Sequence, residues 1–153
     1  MKIGEALQEK KRLQARLAKC QELSKQCYEY TTDKPDFDFN KLQKEIDSLT
    51  KSIKQLKMSL QKTNLKINVT FANETISLQE LIIDIADIRS KLNYLNTLYN
   101  PNDRYHSLRY EEKESKRQVP PEDIQEMIKN LTKTKNDLDS LLQHTNWTEE
   151  LIE

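Results

Sequence analysis

The chain has 153 residues, which is the length of one ordinary domain. Charged residues make up 33% of it and apolar residues 35%, and it contains one glycine and four prolines. Nucleotide-binding loops, nucleophile elbows and β-barrels with many tight turns all need several glycines, so this composition excludes those classes of protein. The apolar content suits a thin seam between helices better than a thick globular core.

The formal net charge of zero is divided between two halves of opposite sign. Residues 1–67 carry 15 Lys/Arg against 9 Asp/Glu and residues 68–153 carry 10 against 16, which gives +6 and −6. A basic half can indicate nucleic-acid binding. Here its lysines lack the interleaved aromatic residues that stack on bases, and the acidic half is of equal size. We therefore predict charge compensation between packed helices and no nucleic-acid partner.

The first helix is predicted over residues 2–30, where small and apolar residues recur at helical spacing. Its seam consists of Ile3, Ala6, Leu13, Leu17, Cys20, Ser24 and Cys27. Pro35 lies in the stretch that ends this helix and turns the chain back. The first helix is thus expected to form an antiparallel hairpin with the second.

The second helix, predicted over 37–66, has the most regular pattern in the chain. Its apolar residues alternate spacings of four and three, which is typical of a coiled coil. They are Leu42, Ile46, Leu49, Ile53, Leu56 and Leu60, followed by Thr63. Asp36 to Asn40 resembles the opening of a calcium loop, but Lys41 stands where that loop needs glycine. We prefer a helix cap by Asp38, with Phe37 and Leu42 as a hydrophobic staple.

The segment after the second helix alternates apolar and polar residues, which is the period of a strand. A short β-ribbon is therefore predicted near 67–76, with 105–111 as a second candidate strand. The alternative for that second segment is a loop.

The third helix is predicted over 77–99 and the fourth over 120–146. Ser77 and Glu80 form a capping box at the start of the third helix. Its seam residues Leu78, Leu81, Ile85, Ile88, Leu92, Leu95 and Tyr99 are flanked by Ile82, Ala86 and Leu98. This wider stripe predicts contacts with more than one neighbour. The fourth helix begins at two prolines and two acids, which suit a helix N-terminus.

These elements predict one mainly all-α domain over residues 1–153. We expect an elongated bundle of four antiparallel, coiled-coil helices with a short β-ribbon, because the second helix alone would reach roughly 45 Å.

Residues that could support catalysis or metal binding do not form a recognisable pattern. Cys20 and Cys27 are seven positions apart on one helix face, too far for a disulfide and without the spacing of a zinc site, so we expect them to pack in the seam. His106 and His144 have no nucleophile at a recognisable spacing. We predict no enzymatic activity, no catalytic residues, no metal and no cofactor.

One polar and aromatic group is a candidate interaction or anion site, since arginine and amphipathic aromatics are enriched at interaction surfaces. It comprises Asn64, Arg104, Tyr105, Arg109, Asn146 and Trp147. The alternative, which we prefer, is that Trp147 plugs the open end of the bundle and the arginines cap helix carboxylates.

Several short motifs follow one another in an order that resembles the septicolysin-like family of small bacterial proteins. They are Met1–Glu9, Thr63-Asn64, Ser77–Glu80, Asp103–Tyr105 and Asn146-Trp147. The resemblance implies a mostly helical, cytoplasmic protein with no established activity.

The function that these patterns favour is that of a structural or interaction protein. We predict a self-associating helical bundle, with a second copy of itself and an unidentified protein as partners. One alternative is a membrane-active, cytolysin-like protein, although Asp84, Asp87 and Arg89 interrupt the most apolar helix and we expect no membrane partner. A small-ligand or anion-binding protein is the other alternative. The absence of an apolar export signal or spanning segment predicts a cytoplasmic location.

Overall fold

A computed structural model describes residues 1–99 and 116–152, and within these residues it confirms the predicted mainly helical fold. The elements in chain order are α1 (Ile3–Tyr28), α2 (Phe39–Lys66), β1 (Asn68–Phe71), β2 (Glu74–Ser77), α3 (Leu78–Tyr99) and α4 (Pro121–Thr148). Every predicted helix end lies within two residues of an observed one. The predicted strand at 105–111 lies outside the described residues. No described helix is long and apolar enough to cross a membrane.

The chain divides into two compact units. The first contains residues 1–68 and 143–153, and the second contains residues 69–142. That residues 1–153 form a single domain stays a prediction.

The core of the first unit lies between α1 and α2. Both cysteines are buried there, as predicted, in a cluster with Leu42 and Leu49. Partly buried leucines and an isoleucine from both helices pack against this cluster: Leu13, Leu17, Leu23 and Ile46. Polar contacts join the same two helices, since Gln43 donates to Ser24 Oγ at 2.7 Å and Arg16 Nε donates to Glu45 Oε1 at 2.7 Å. The predicted hairpin is therefore held by an apolar seam with polar and charged contacts along its margin.

Asp38 caps α2, because its Oδ1 accepts a hydrogen bond from the backbone N–H of Lys41 at 3.1 Å. The carboxylate thus satisfies an amide that has no partner inside the helix. This confirms the predicted helix cap. Phe37, the other half of the predicted staple, is exposed.

A β-hairpin follows α2, and its two strands pair with each other in the order β1–β2. Ala72 and Asn73 connect them with φ angles of 49° and 67°. Two consecutive residues with positive φ are what a two-residue type I′ turn requires, and this turn matches the twist of the strands. The chain passes directly from β2 into α3, where Ser77 Oγ accepts a hydrogen bond from Glu80 N at 3.1 Å.

One face of α3 is buried and the opposite face is not. Leu78, Leu81, Ile85 and Leu95 are buried, whereas Ala86 and Leu98, predicted to widen the buried stripe, are exposed.

An ion-pair cluster connects α3 to α4. Asp139 accepts from Lys135 Nζ at 2.8 Å and from Arg89 Nη2 at 3.1 Å.

Candidate functional site

The first four residues and the segment 145–152 form a small antiparallel junction in the first unit, which we call the clasp. Ile3 N–H donates to the Glu149 carbonyl at 3.1 Å, and Leu151 N–H donates to the Met1 carbonyl at 2.8 Å. These bonds define an isolated antiparallel bridge between Lys2 and Glu150. The clasp thus connects the start of α1 to the segment that follows α4.

Charged groups reinforce the clasp. Lys2 Nζ donates to the Thr148 carbonyl at 2.6 Å and lies 2.8 Å from Glu150 Oε1. The first contact places a cation on an otherwise unpaired carbonyl at the end of α4. The hydrogen bond from Lys2 is the main cause of the lowered pKa of Glu150. Because both side chains are exposed, water screens this pair and its contribution to stability is small.

The indole ring of Trp147 lies directly against the backbone of Gly4. An alanine Cβ at position 4 would lie only 2.8–2.9 Å from ring atoms Cδ2, Cε2 and Cε3. Only glycine therefore permits this close approach. Trp147 nevertheless remains half exposed, so the ring covers α1 with one part and faces solvent with another.

Thr63 connects α2 to the clasp. Thr63 is fully buried. Its hydroxyl donates to the Ser59 carbonyl at 2.7 Å and accepts from the backbone N–H of Ile152 at 2.9 Å. One side chain thus satisfies a backbone amide of the segment after α4, which would otherwise need water. This contact, like the others in the clasp, holds backbone in place.

Three of the six residues predicted as an interaction or anion site lie within the described part of the chain. Asn146 and Trp147 lie in the last turn of α4, where Asn146 is buried, and Asn64 is half-buried near the end of α2 beside Thr63. These three belong to one compact unit. Arg104, Tyr105 and Arg109 lie outside the described residues, so the anion site stays a prediction.

The sequence reasoning missed Gly4, Thr63 and Glu150 as members of this junction. Gly4 carried a usable signal, because a helical glycine is about 1 kcal/mol less favourable than alanine and needs a compensating reason. Thr63 carried one as well, since it occupies an apolar seam position and its hydroxyl must find partners there. Glu150 carried none, because it is one exposed acid among many.

The clasp contains ammonium, carboxylate and backbone groups that are engaged with one another. Such an arrangement fixes two chain segments together, and it presents no activated nucleophile.

Outside the clasp, burial raises the pKa of the Cys20 thiol, and the nearby Glu45 carboxylate is a second cause. A raised pKa disfavours the reactive thiolate. Within 1–99 and 116–152, no group of three or more His, Cys, Asp or Glu side chains is placed to hold a metal ion.

The fold is similar to a solved structure. The crystal structure of a functionally unknown conserved protein from Corynebacterium diphtheriae matches with a TM-score of 0.84 and 21% sequence identity, over 99% of each chain. At this identity the likeness shows a shared fold. No curated protein matches the chain.

A family model of a family of unknown function, DUF6847, matches residues 10–151. The resemblance to the septicolysin-like family is therefore wrong. It relied on motifs of a few residues, and caps such as Ser77–Glu80 recur wherever a helix starts, so their order did not identify a family. The chain belongs to the DUF6847 family of proteins of unknown function.

Proposed function

We propose that this chain is a non-catalytic, cytoplasmic interaction protein that pairs with a second copy of itself through the exposed face of α3. Two free, buried cysteines, Cys20 and Cys27, support the cytoplasmic location, because thiols stay reduced there. The observation that carries the self-association is a row of half-exposed apolar side chains on the face of α3 opposite its buried stripe.

The exposed face of α3, which we call the outer face, contains Ile83, Asp87, Ser90, Tyr94 and Leu98. Their spacings of four, three, four and four residues place them on one stripe opposite the buried stripe of Leu78, Leu81, Ile85 and Leu95. Ile83, Tyr94 and Leu98 are each about half exposed. Exposed apolar side chains opposite a buried stripe are typical of a helix that is covered on both sides.

A second copy fits the outer face because its sequence is self-complementary. If two α3 helices pair antiparallel about an axis between Ser90 and Lys91, Ile83 meets Leu98 of the second copy. In the same register Asp87 meets Tyr94 of the second copy and lies one turn from its Lys91. Apolar residues thus face apolar residues and a carboxylate faces donors. Such isologous contacts are the commonest way in which identical chains associate.

The test is a charge-swap experiment read out by light scattering after size exclusion. Wild type is expected to elute with the mass of a dimer, and Ile83→Lys and Leu98→Glu alone are each expected to give monomers. Mixing the two variants places the introduced lysine of one chain against the introduced glutamate of the other and should restore the dimer. Circular dichroism checks that both variants keep their helices.

Met127→Lys on α4 is the matched control, because Met127 is also an exposed apolar residue and lies outside the outer face. This control should remain dimeric. A wild-type chain that stays monomeric at high micromolar concentration would overturn the proposal. A dimer that persists in Ile83→Lys would place self-association on another surface.

A further inference from the structure

Four aromatic side chains lie around the turn that joins α1 to α2, and we call this group the aromatic turn. It consists of Tyr28, Tyr30, Phe37 and Phe39, which are 37–69% exposed. The rings of Tyr28 and Phe39 contact each other, with centroids 5.7 Å apart and planes tilted by 50°. Aromatic side chains are usually covered in a folded protein, so four exposed rings within 12 positions indicate an interaction surface.

The aromatic turn surrounds a cavity of about 480 Å³, to whose lining Pro35 and Asp36 also contribute. Thr32 donates its hydroxyl hydrogen to the Lys34 carbonyl at 2.7 Å and thereby fixes part of the turn. Asp38 fixes the other side through its cap of α2. The rings are thus presented by a turn that is braced at both ends, which reduces the entropy lost when a partner binds.

The charge of this segment is strongly negative. Residues 29–38 contain Glu29, Asp33, Asp36 and Asp38 against the single cation Lys34. Among the described residues, no ion pair engages any of these four carboxylates. The faces of aromatic rings also carry a negative potential. The aromatic turn therefore combines two features that attract a cation.

We propose that the aromatic turn binds an extended, cationic peptide segment of a partner protein. A lysine or arginine side chain of that segment lies on a ring face and pairs with Asp33 or Asp36. Neighbouring prolines or aliphatic residues fill the apolar part of the cavity, as in other aromatic-lined grooves that bind extended peptides. The negative charge of the turn disfavours an anionic lipid surface. This inference does not depend on self-association through α3.

Calorimetric titration with a short synthetic peptide of alternating arginine and proline tests this site. The peptide is expected to bind the wild-type chain, and the same peptide with glutamine in place of arginine is expected to bind at least about tenfold more weakly. Affinity for the arginine peptide should fall as the salt concentration rises. The monomeric Ile83→Lys variant should bind the arginine peptide as tightly as the wild type.

Two variants locate the binding surface. Asp33→Asn combined with Asp36→Asn removes charge without touching the cap at Asp38, and Tyr30→Leu removes a ring while keeping an apolar side chain. Each is expected to weaken binding of the arginine peptide by about fivefold. Asp137→Asn, which removes an exposed carboxylate on α4, is the control and should leave the affinity unchanged.

Three results would overturn the proposal. One is no binding of the arginine peptide, and another is equal binding of the glutamine peptide, which would indicate a surface that does not recognise cations. The third is a loss of affinity in the aspartate variant with none in Tyr30→Leu, because general electrostatic attraction would then explain the binding.

Discussion

Gly4 lies in the first turn of α1 with the Trp147 ring against its backbone, so a single methyl group is enough to disturb the clasp. We predict that Gly4→Ala lowers the free energy of unfolding by about 1–3 kcal/mol, because the new Cβ must displace the indole ring. Denaturant titration measures this change. The sign of this change is informative, because replacing glycine by alanine elsewhere in a helix raises the free energy of unfolding by about 1 kcal/mol.

Two further variants isolate the contact with the ring. Ala15→Gly, at an exposed position of α1, reports the ordinary cost of a helical glycine and should destabilise by about 1 kcal/mol. In a Trp147→Ala background, Gly4→Ala should become neutral or stabilising. If Gly4→Ala lowers the free energy of unfolding equally in the wild type and in the Trp147→Ala background, the ring is not the cause.

Ala72 adopts a positive φ of 49° in the hairpin turn, a conformation that costs an alanine roughly 1–2 kcal/mol. Asparagine tolerates this region and is favoured in type I′ turns. We predict that Ala72→Asn raises the free energy of unfolding by about 0.5 kcal/mol and that Ala72→Val lowers it. Thermal unfolding monitored by circular dichroism compares the two. A less stable Ala72→Asn chain would contradict this account of the turn.

The elements that could be predicted are those whose pattern repeats. The period of α2 covers several heptads. Five of its seven predicted seam residues are buried, and the other two, Ile46 and Leu56, are half-buried. The partner of β1 was harder to predict, because Ala72-Asn73 lacks the glycine that marks most such turns. Two residues of α3, Ala86 and Leu98, were wrongly predicted to widen its buried stripe, for a different reason. Periodicity shows which residues share a face but not what covers that face.

The clasp could not be predicted, because its contacts join segments that no local pattern relates. Lys2 and Thr148, for example, are separated by 146 positions in the sequence. Of the candidate site residues, Asn146 was placed correctly at the end of a helix, and the contact of Trp147 with Gly4 became visible only in three dimensions.

Asp139 gives the pairing of α3 with α4 a defined pH dependence. The hydrogen bond from Lys135 is the main cause of the lowered pKa of Asp139, and the Arg89 guanidinium adds to it. A carboxyl whose pKa is lowered by folding stabilises the protein above its unfolded pKa of about 3.9, and this contribution is lost as the pH falls through the folded value. Asp139→Asn should therefore destabilise at pH 7, by up to about 1 kcal/mol, and progressively less below about pH 4.

Urea unfolding at a series of pH values checks this prediction. Asp137→Asn is the matched control, because Asp137 is an exposed carboxylate two positions away on the same helix. It should behave like the wild type throughout. If the difference in free energy of unfolding between Asp139→Asn and the wild type does not become smaller in acid, the charge of Asp139 is not the source of the effect.

For the molecule as a whole, the two compact units have opposite net charges, which predicts attraction between molecules at neutral pH. Residues 1–68 and 143–153 carry 15 Lys/Arg against 12 Asp/Glu, or +3, and residues 69–142 carry 10 against 13, or −3. Opposite charges on separate chains attract over roughly the Debye length, about 10 Å at 0.1 M salt. We expect the second virial coefficient from static light scattering to be low in dilute buffer and to rise with added NaCl. The Ile83→Lys variant is the sample to use, since it removes pairing through the outer face. A coefficient that does not change with salt would argue against this attraction.

The sequence separation across the clasp has a kinetic consequence. Closing a loop of this length costs conformational entropy before any contact compensates for it, so we expect the clasp to form after α1 and α2 have paired and positioned Thr63. In the folded protein the same junction is well buried, since Ile3, Thr63 and Asn146 are each less than 9% exposed. The amides of Ile3, Leu151 and Ile152 all donate hydrogen bonds within it, so we expect them to exchange with solvent together, as one cooperative unit, when the clasp opens.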